Sequence, residues 1–256
     1  MTASPPEPGD HRGATLPEGR RREVLRQSLY VGGATGAYGI SFGALSVASG
    51  LTVWQTQALS LLLFSGGSQF AVVGILGAGG GGAAAVATSS LLGVRNGLYA
   101  LQTSRFLGVR GIRLLAAAQL TIDESTAVGV AQPEPRAQRL GFWLTGATVF
   151  VGWNLMTLLG ALVGNALGDP RRWGLDAAAA AAFAALLWPR LRSRDAAATA
   201  VLAVFVALVT SPFLPAGVPV ILAALAAVAV GLRHPGRHEH ALEGDDGTLP
   251  GSDPVP

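Results

Sequence analysis

The chain is 256 residues long, with 13% charged and half hydrophobic residues and a mean hydropathy of +0.45. A soluble domain carries about a quarter charged residues, so this chain falls outside that class. The absence of cysteine removes disulfides and thiolate metal sites from consideration.

Residues 1–26 read as a disordered tail, rich in Pro, Gly and charge. Arg20, Arg21, Arg22 and Arg26 close it and place the N-terminus on the cytoplasmic side. Arg21-Arg22 resembles a twin-Arg signal, but a secretory signal is a single short apolar segment, and here more apolar runs follow. Between Arg26 and Arg95 there is no Asp, Glu, Lys, Arg or His. At about 20 residues per crossing, that stretch has room for roughly three.

The apolar runs are Ser28–Leu51, Gln55–Ala78, Ala83–Leu107, Leu114–Val130, Leu140–Leu167, Leu175–Pro189, Ala196–Phe213 and Gly217–Leu232. They are apolar on every side, whereas a membrane β-barrel needs alternation at period two. The fold expected is therefore all-α, a polytopic helical membrane protein with about seven spanning helices (6–8), some broken or re-entrant. Residues 27–233 form the membrane domain, and residues 234–256, again polar and Pro/Gly-rich, a second disordered tail.

The pI near 10.1 comes from arginines at the ends of apolar runs, which topology explains better than nucleic-acid binding does. Arg190, Arg192 and Arg194, with Arg233 and Arg237, flank a hairpin turning at Ser211–Pro219, and Arg136 and Arg139 also read as cytoplasmic. Arg105, Arg110 and Arg113 then fall on the wrong side in a simple eight-span count. Either the third or fourth run is re-entrant, or the rule fails there. Trp54, Trp143, Trp173 and Trp188 lie near run ends, as an aromatic belt requires; Trp153 and Asn154 lie mid-span.

An ionisable group inside a span costs about 2.5–3.5 kcal/mol on insertion scales, so Arg95 and the Asp123-Glu124 pair are functional candidates. The plainer readings are that Arg95 snorkels at a helix end and that Asp123-Glu124 sits in a loop between half-length helices. Pairing Arg95 with a carboxylate lowers the cost of both charges. Phe64-Ser65-Gly66-Gly67-Ser68-Gln69-Phe70 is polar inside an apolar run. Its glycines can unwind a helix and free backbone groups, which is tolerated at membrane depth only where they line a cavity or are buried in protein. Gly32, Gly36, Gly39 and Gly43 read as a close-packing stripe. Gly79–Gly82 lacks the residues of a phosphate loop and reads as a flexible turn. His11, His234, His238 and His240 lie in or beside the tails and build neither a metal site nor a catalytic triad. No cofactor is expected.

Tyr38-Gly39-Ile40-Ser41-Phe42-Gly43-Ala44-Leu45, Ala48-Ser49-Gly50-Leu51 and Phe64–Phe70, in that order and spacing, resemble the AzlC family, the large subunits of branched-chain amino acid permeases. The likeness continues through Arg95 to Tyr99 and Asp123-Glu124, and weakly through Gly174-Leu175-Asp176. It implies an inner-membrane permease that exports branched-chain amino acids with a small hydrophobic partner subunit, AzlD. Gly93 and Asn96 stand where the family commonly has Asn and His, which bears on coupling and substrate choice.

With that resemblance, Ser65, Gly66, Gly67, Ser68, Gln69, Phe70, Phe42, Arg95, Asn96 and Tyr99 are the expected substrate contacts. Asp123 or Glu124 is expected to titrate or to hold Arg95. Apolar faces beyond what one small bundle buries leave room for the partner or for a homo-oligomer. Two other readings stand beside this one. One is a membrane scaffold subunit that does not transport; the other is a membrane-embedded enzyme, for which no nucleophile–base pair is present.

Overall fold

The computed structural model describes residues 16–166, 193–215 and 217–233, with isolated positions between them. All regular structure among the described residues is helical: α1 (Glu18–Ala48), α2 (Val53–Leu62), α3 (Gly66–Gly77), α4 (Gly82–Leu107), α5 (Ile112–Leu120), α6 (Asp123–Val130), α7 (Pro135–Ala166), α8 (Arg194–Thr210) and α9 (Val218–Arg233). The chain divides into two compact units, residues 1–185 and 186–256. The sixth apolar run and most of both tails lie outside the described residues.

The helix order in the first unit is long, short, short, long, short, short, long. α1 and α7 form its spine and run parallel. Their contacts advance together along both helices: Gly32 meets Thr148, Gly36 meets Gly152, Gly39 meets Trp153 and Gly43 meets Thr157. The small-residue stripe expected in the first run is thus a helix–helix seam, where missing side chains let two backbones approach. Gly160 and Gly164 complete it from α7, against Ile40 and Ala44.

The starts of α1 and α7 are tied by polar contacts. Arg20 pairs with Glu23 at 2.6 Å and with Glu134 at 3.4 Å, and its Nη2 donates to Gln132 Oε1 at 2.9 Å. The hydrogen bond to Glu23 raises the Arg20 guanidinium above its ordinary pKa against partial desolvation, with Glu134 adding to it. The Arg22–Glu18 pair lies one turn apart on the same helix, and residues 18–26, read from sequence as part of the tail, are helical.

α2 and α3 do not continue one another across the bundle. Gly77, the last residue of α3, lies against Ser49 at the end of α1, so α3 returns to where α2 began. The turn lies deep inside: Phe64 meets Phe150 edge-on at 5.0 Å and Gly66 faces the Trp153 ring. α4 then runs back to the arginine end, where Arg139 of α7 donates to the Phe106 carbonyl. α5 rises from that end and α6 returns to it. Leu120 and Ser125 face Gly146, while Gly129, further along α6, meets Phe142. A long helix followed by a folded-back hairpin thus occurs twice in opposite directions, α1 with α2–α3 and α4 with α5–α6. The fourth run is a folded-back one, and so is the second, read from sequence as a broken crossing.

This pattern also accounts for the arginines that fit no simple count. Arg105, Arg110 and Arg113 lie at the end that carries Arg20, Arg136 and Arg139. The expected seven crossings do not appear as seven long apolar helices. Among the described residues only α7, with a mean hydropathy of 1.6, is long and apolar enough to cross a membrane by that measure. The hairpin arms are 8 to 12 residues long, about 12–18 Å at 1.5 Å per residue. α1 and α4 have the length, but Gly, Ser and Thr dilute both and Arg95 interrupts α4.

In the second unit, Ser193 caps α8 by accepting from the Ala196 amide at 3.1 Å. α8 and α9 pack side by side through the turn at Ser211–Gly217.

Candidate functional site

The tips of the two hairpins meet in one buried cluster that includes Phe64 from the first and Ile122 from the second, with Phe42, Phe70, Val149 and Trp153 around them. The Gln119 side chain of α5 donates to the Leu61 carbonyl at 2.8 Å, joining the hairpins directly.

Each tip is a helix break whose loose backbone groups are retied by a polar side chain just beyond it. In the first, Ser65 is extended (φ −157°, ψ 102°) and its side chain does not cap α3. Gln69 Nε2 donates to the Leu63 carbonyl at 2.6 Å, and Gln69 Oε1 accepts from Trp153 Nε1 at 2.9 Å. In the second, Ile122 is extended (φ −130°, ψ 174°). Ser125 Oγ donates to the Leu120 carbonyl at 2.6 Å and accepts from the Ile122 amide at 3.1 Å. Backbone polar groups left bare in an apolar interior cost several kcal/mol each; Ser125 satisfies the Leu120 carbonyl and the Ile122 amide, while Gln69 adds a second donor to the Leu63 carbonyl beside the Ser65 amide at 2.8 Å.

Arg95 sits in the middle of α4, between the two tips. Its Nη1 donates to Asp123 Oδ2 at 2.9 Å, and the two side chains are 28% and 25% exposed. Its Nη2 is turned to Gly67, where a Cβ would lie 3.0 Å away. The guanidinium therefore lies at the N-terminal turn of α3 and at that of α6, which Asp123 opens. A helix N-terminus carries about half a positive charge and unpaired amides. Asp123 is well placed against its own helix end and against Arg95. The Nε of Arg95 is buried without a hydrogen-bond partner.

The other expected residues fall around this centre. Ser68 is fully buried, and its hydroxyl donates to the Ser89 carbonyl at 3.0 Å. Ser65 lies 3.4 Å from it, oxygen to oxygen. Gln69 is buried with both ends of its amide engaged by protein. Phe70 and Phe42 are buried and meet edge-on at 5.5 Å. Asn96 and Tyr99 follow Arg95 on α4, and Glu124 follows Asp123 on α6; all three are partly buried. Sequence reasoning marked Trp153 only as a tryptophan out of place mid-span. It packs against Phe42, Phe70 and Tyr38 and holds Gln69. Tyr38, whose hydroxyl is buried without a partner, went unmarked as a site residue.

Many secondary transporters have discontinuous helices whose breaks form the solute site. The chain belongs to the AzlC family: the family model described as AzlC protein matches residues 31–167, from near the middle of α1 through the end of α7. That family consists of membrane proteins associated with branched-chain amino acid transport rather than catalysis. No curated protein and no solved structure matches the chain.

Proposed function

We propose that the protein is the large subunit of an inner-membrane permease that exports small aliphatic, branched-chain amino acids, N-terminus inside, with a small AzlD-like partner. The observation that carries this reading is Arg95, paired with Asp123 and lying against Gly67 where the two hairpin tips meet.

A zwitterionic amino acid complements such a centre. Its carboxylate takes Arg95 and the open amides of Gly66, Gly67 and Ser68 at the start of α3. Its ammonium takes Asp123, with Glu124 adjacent. The aliphatic side chain lies against Phe70, with Phe42 behind it. Asn96 and Tyr99 border the site from α4, while Ser65 and Gln69 hold the break in shape. Asp123 or Glu124 is the place where coupling to proton entry would act, or the carboxylate that holds Arg95. The opposed hairpins suit alternating access, in which one half rocks against the other around a central site.

The test is efflux of labelled leucine, isoleucine, valine and methionine from cells lacking their own exporters, with and without a candidate partner subunit. Efflux that needs the intact chain and is lost in Arg95→Ala supports the reading. Inserted protein with its partner and no efflux of any of the four overturns it in favour of another solute or a scaffold role.

A further inference from the structure

A second polar feature lies apart from the tips, at the arginine end. An open cleft of about 770 Å³ lies where α4, α5 and α7 come together, lined by Leu107, Arg110, Arg113, Ala116, Arg139 and Trp143. We propose that this cleft binds the phosphate of an anionic lipid headgroup.

Three arginines line one space, and among the described residues no carboxylate lies within ion-pair distance of Arg110, Arg113 or Arg139. The connection between α4 and α5 brings them together. Gly108 (φ +58°, ψ 30°) is left-handed and Gly111 (φ +60°, ψ −139°) takes a conformation open in practice to glycine alone, and the chain turns there so that Arg110 and Arg113 line the cleft beside α7. Arg139 uses its Nε on the Phe106 carbonyl. Its Nη2 stays near Gly108, 3.9 Å from where a Cβ would stand.

The remaining walls decide the ligand. Leu107, Ala116 and Trp143 form an apolar side next to the arginines, which suits a headgroup with its glycerol and upper acyl chain better than a small hydrated anion. Tryptophan favours the headgroup level of a bilayer. The cleft lies at the end where the arginines collect, the side that faces anionic inner-leaflet lipid. A lipid there would clamp the root of the α5–α6 hairpin to α7.

The experiment uses the full chain purified in neutral detergent, with native mass spectrometry counting retained phosphatidylglycerol against phosphatidylcholine. The cleft variant R110Q/R113Q is compared with R21Q/R22Q, which removes the same charge from exposed arginines outside the cleft. Wild type and R21Q/R22Q are expected to retain one phosphatidylglycerol in preference to phosphatidylcholine. R110Q/R113Q is expected to lose that retention by about tenfold, from about 1 kcal/mol per arginine with some screening. Should the double variant prove unstable, R113Q alone is expected to show about a threefold loss. Equal retention by wild type and the cleft variants overturns the proposal. So does displacement of the lipid by millimolar inorganic phosphate, which would assign the cleft to a free anion.

Discussion

Arg95 and Asp123 are joined at 2.9 Å although one sits in the middle of a long helix and the other opens a short one. Their pairing is what fixes the second hairpin tip against α4. Breaking a buried ion pair by removing one partner costs about 3–5 kcal/mol. Here each side chain keeps about a quarter of its surface exposed, so about 2 kcal/mol is expected for Arg95→Ala or Asp123→Asn. The double replacement Arg95→Met with Asp123→Leu leaves neither charge alone. It is expected to melt closer to the wild type in detergent than either single variant, while efflux stays absent. Efflux by the double variant would mean that the pair serves the fold alone.

Gly67 tests the same centre without removing a charge. A Cβ there meets Arg95 Nη2 at 3.0 Å and Cζ at 3.6 Å, whereas one on Gly66 meets only the Trp153 ring at 3.6 Å. Gly67→Ala should push the guanidinium aside by a few tenths of an ångström. Its expected stability change is within about 1 kcal/mol, because a flexible side chain can yield. Transport should fall sharply for Gly67→Ala and little for Gly66→Ala, read as initial efflux rates at matched membrane levels.

Gln69 and Trp153 are coupled by one hydrogen bond, and the two replacements differ in what they strand. Gln69→Leu leaves the Trp153 indole N–H unpaired in an apolar interior, at about 1–3 kcal/mol, and takes one of two donors from the Leu63 carbonyl, which keeps the Ser65 amide at 2.8 Å. Trp153→Phe strands only the Gln69 carbonyl oxygen, though it also trims packing against Phe42. Each replacement strands one partner of the same bond, so both are expected to lower the melting temperature by a similar amount. In Gln69→Leu the Trp153 emission should shift as the first tip loosens. A neutral Gln69→Leu would mean that water or lipid already satisfies the break.

The seam between α1 and α7 gives a prediction independent of transport. A Cβ on Gly43 would run into the Thr157 carbonyl oxygen, and one on Gly160 into that of Ile40. Backbone cannot change rotamer, so each Ala replacement forces the helices apart and is expected to cost about 2 kcal/mol or more. Gly33 has nothing within 4 Å, and Gly33→Ala should be neutral or stabilising by about 0.5–1 kcal/mol through helix propensity. Thermal melts of the three variants in one detergent decide it.

What was legible in the sequence follows from what hydropathy and side-chain type encode. The paired glycines between Ser65 and Gln69 marked a helix break, and an intramembrane arginine needed a carboxylate, so Arg95, Asp123 and the first tip could be picked out. The sense of the chain after a break is not encoded in that way. Gln55–Ala78 is equally apolar whether it continues across or turns back, and only the contact of Gly77 with Ser49 tells the two apart. The misfit of Arg105, Arg110 and Arg113 with a simple span count was the one trace of it. That Gln69 ties Leu63 to Trp153 across the break was not legible, because an isolated polar group looks the same whether it faces a solute or the protein's own backbone.

The folded-back hairpins make the sharpest topological prediction, and the chain suits the measurement because it has no cysteine of its own. Leu51→Cys precedes α2 and Ala78→Cys follows α3, while Arg110→Cys precedes α5 and Ala131→Cys follows α6. If each pair of short helices turns back, both members of a pair react with a membrane-impermeant maleimide from one face. Leu51→Cys and Ala78→Cys are expected to label in intact cells. Arg110→Cys and Ala131→Cys are expected to label only after permeabilisation, since they share the end that carries the arginine clusters. Two continuous crossings would instead separate Leu51 from Ala78 and Arg110 from Ala131. Labelling of either pair from opposite faces would remove the opposed hairpins, and with them the meeting of two helix starts at Arg95 on which the transport reading stands.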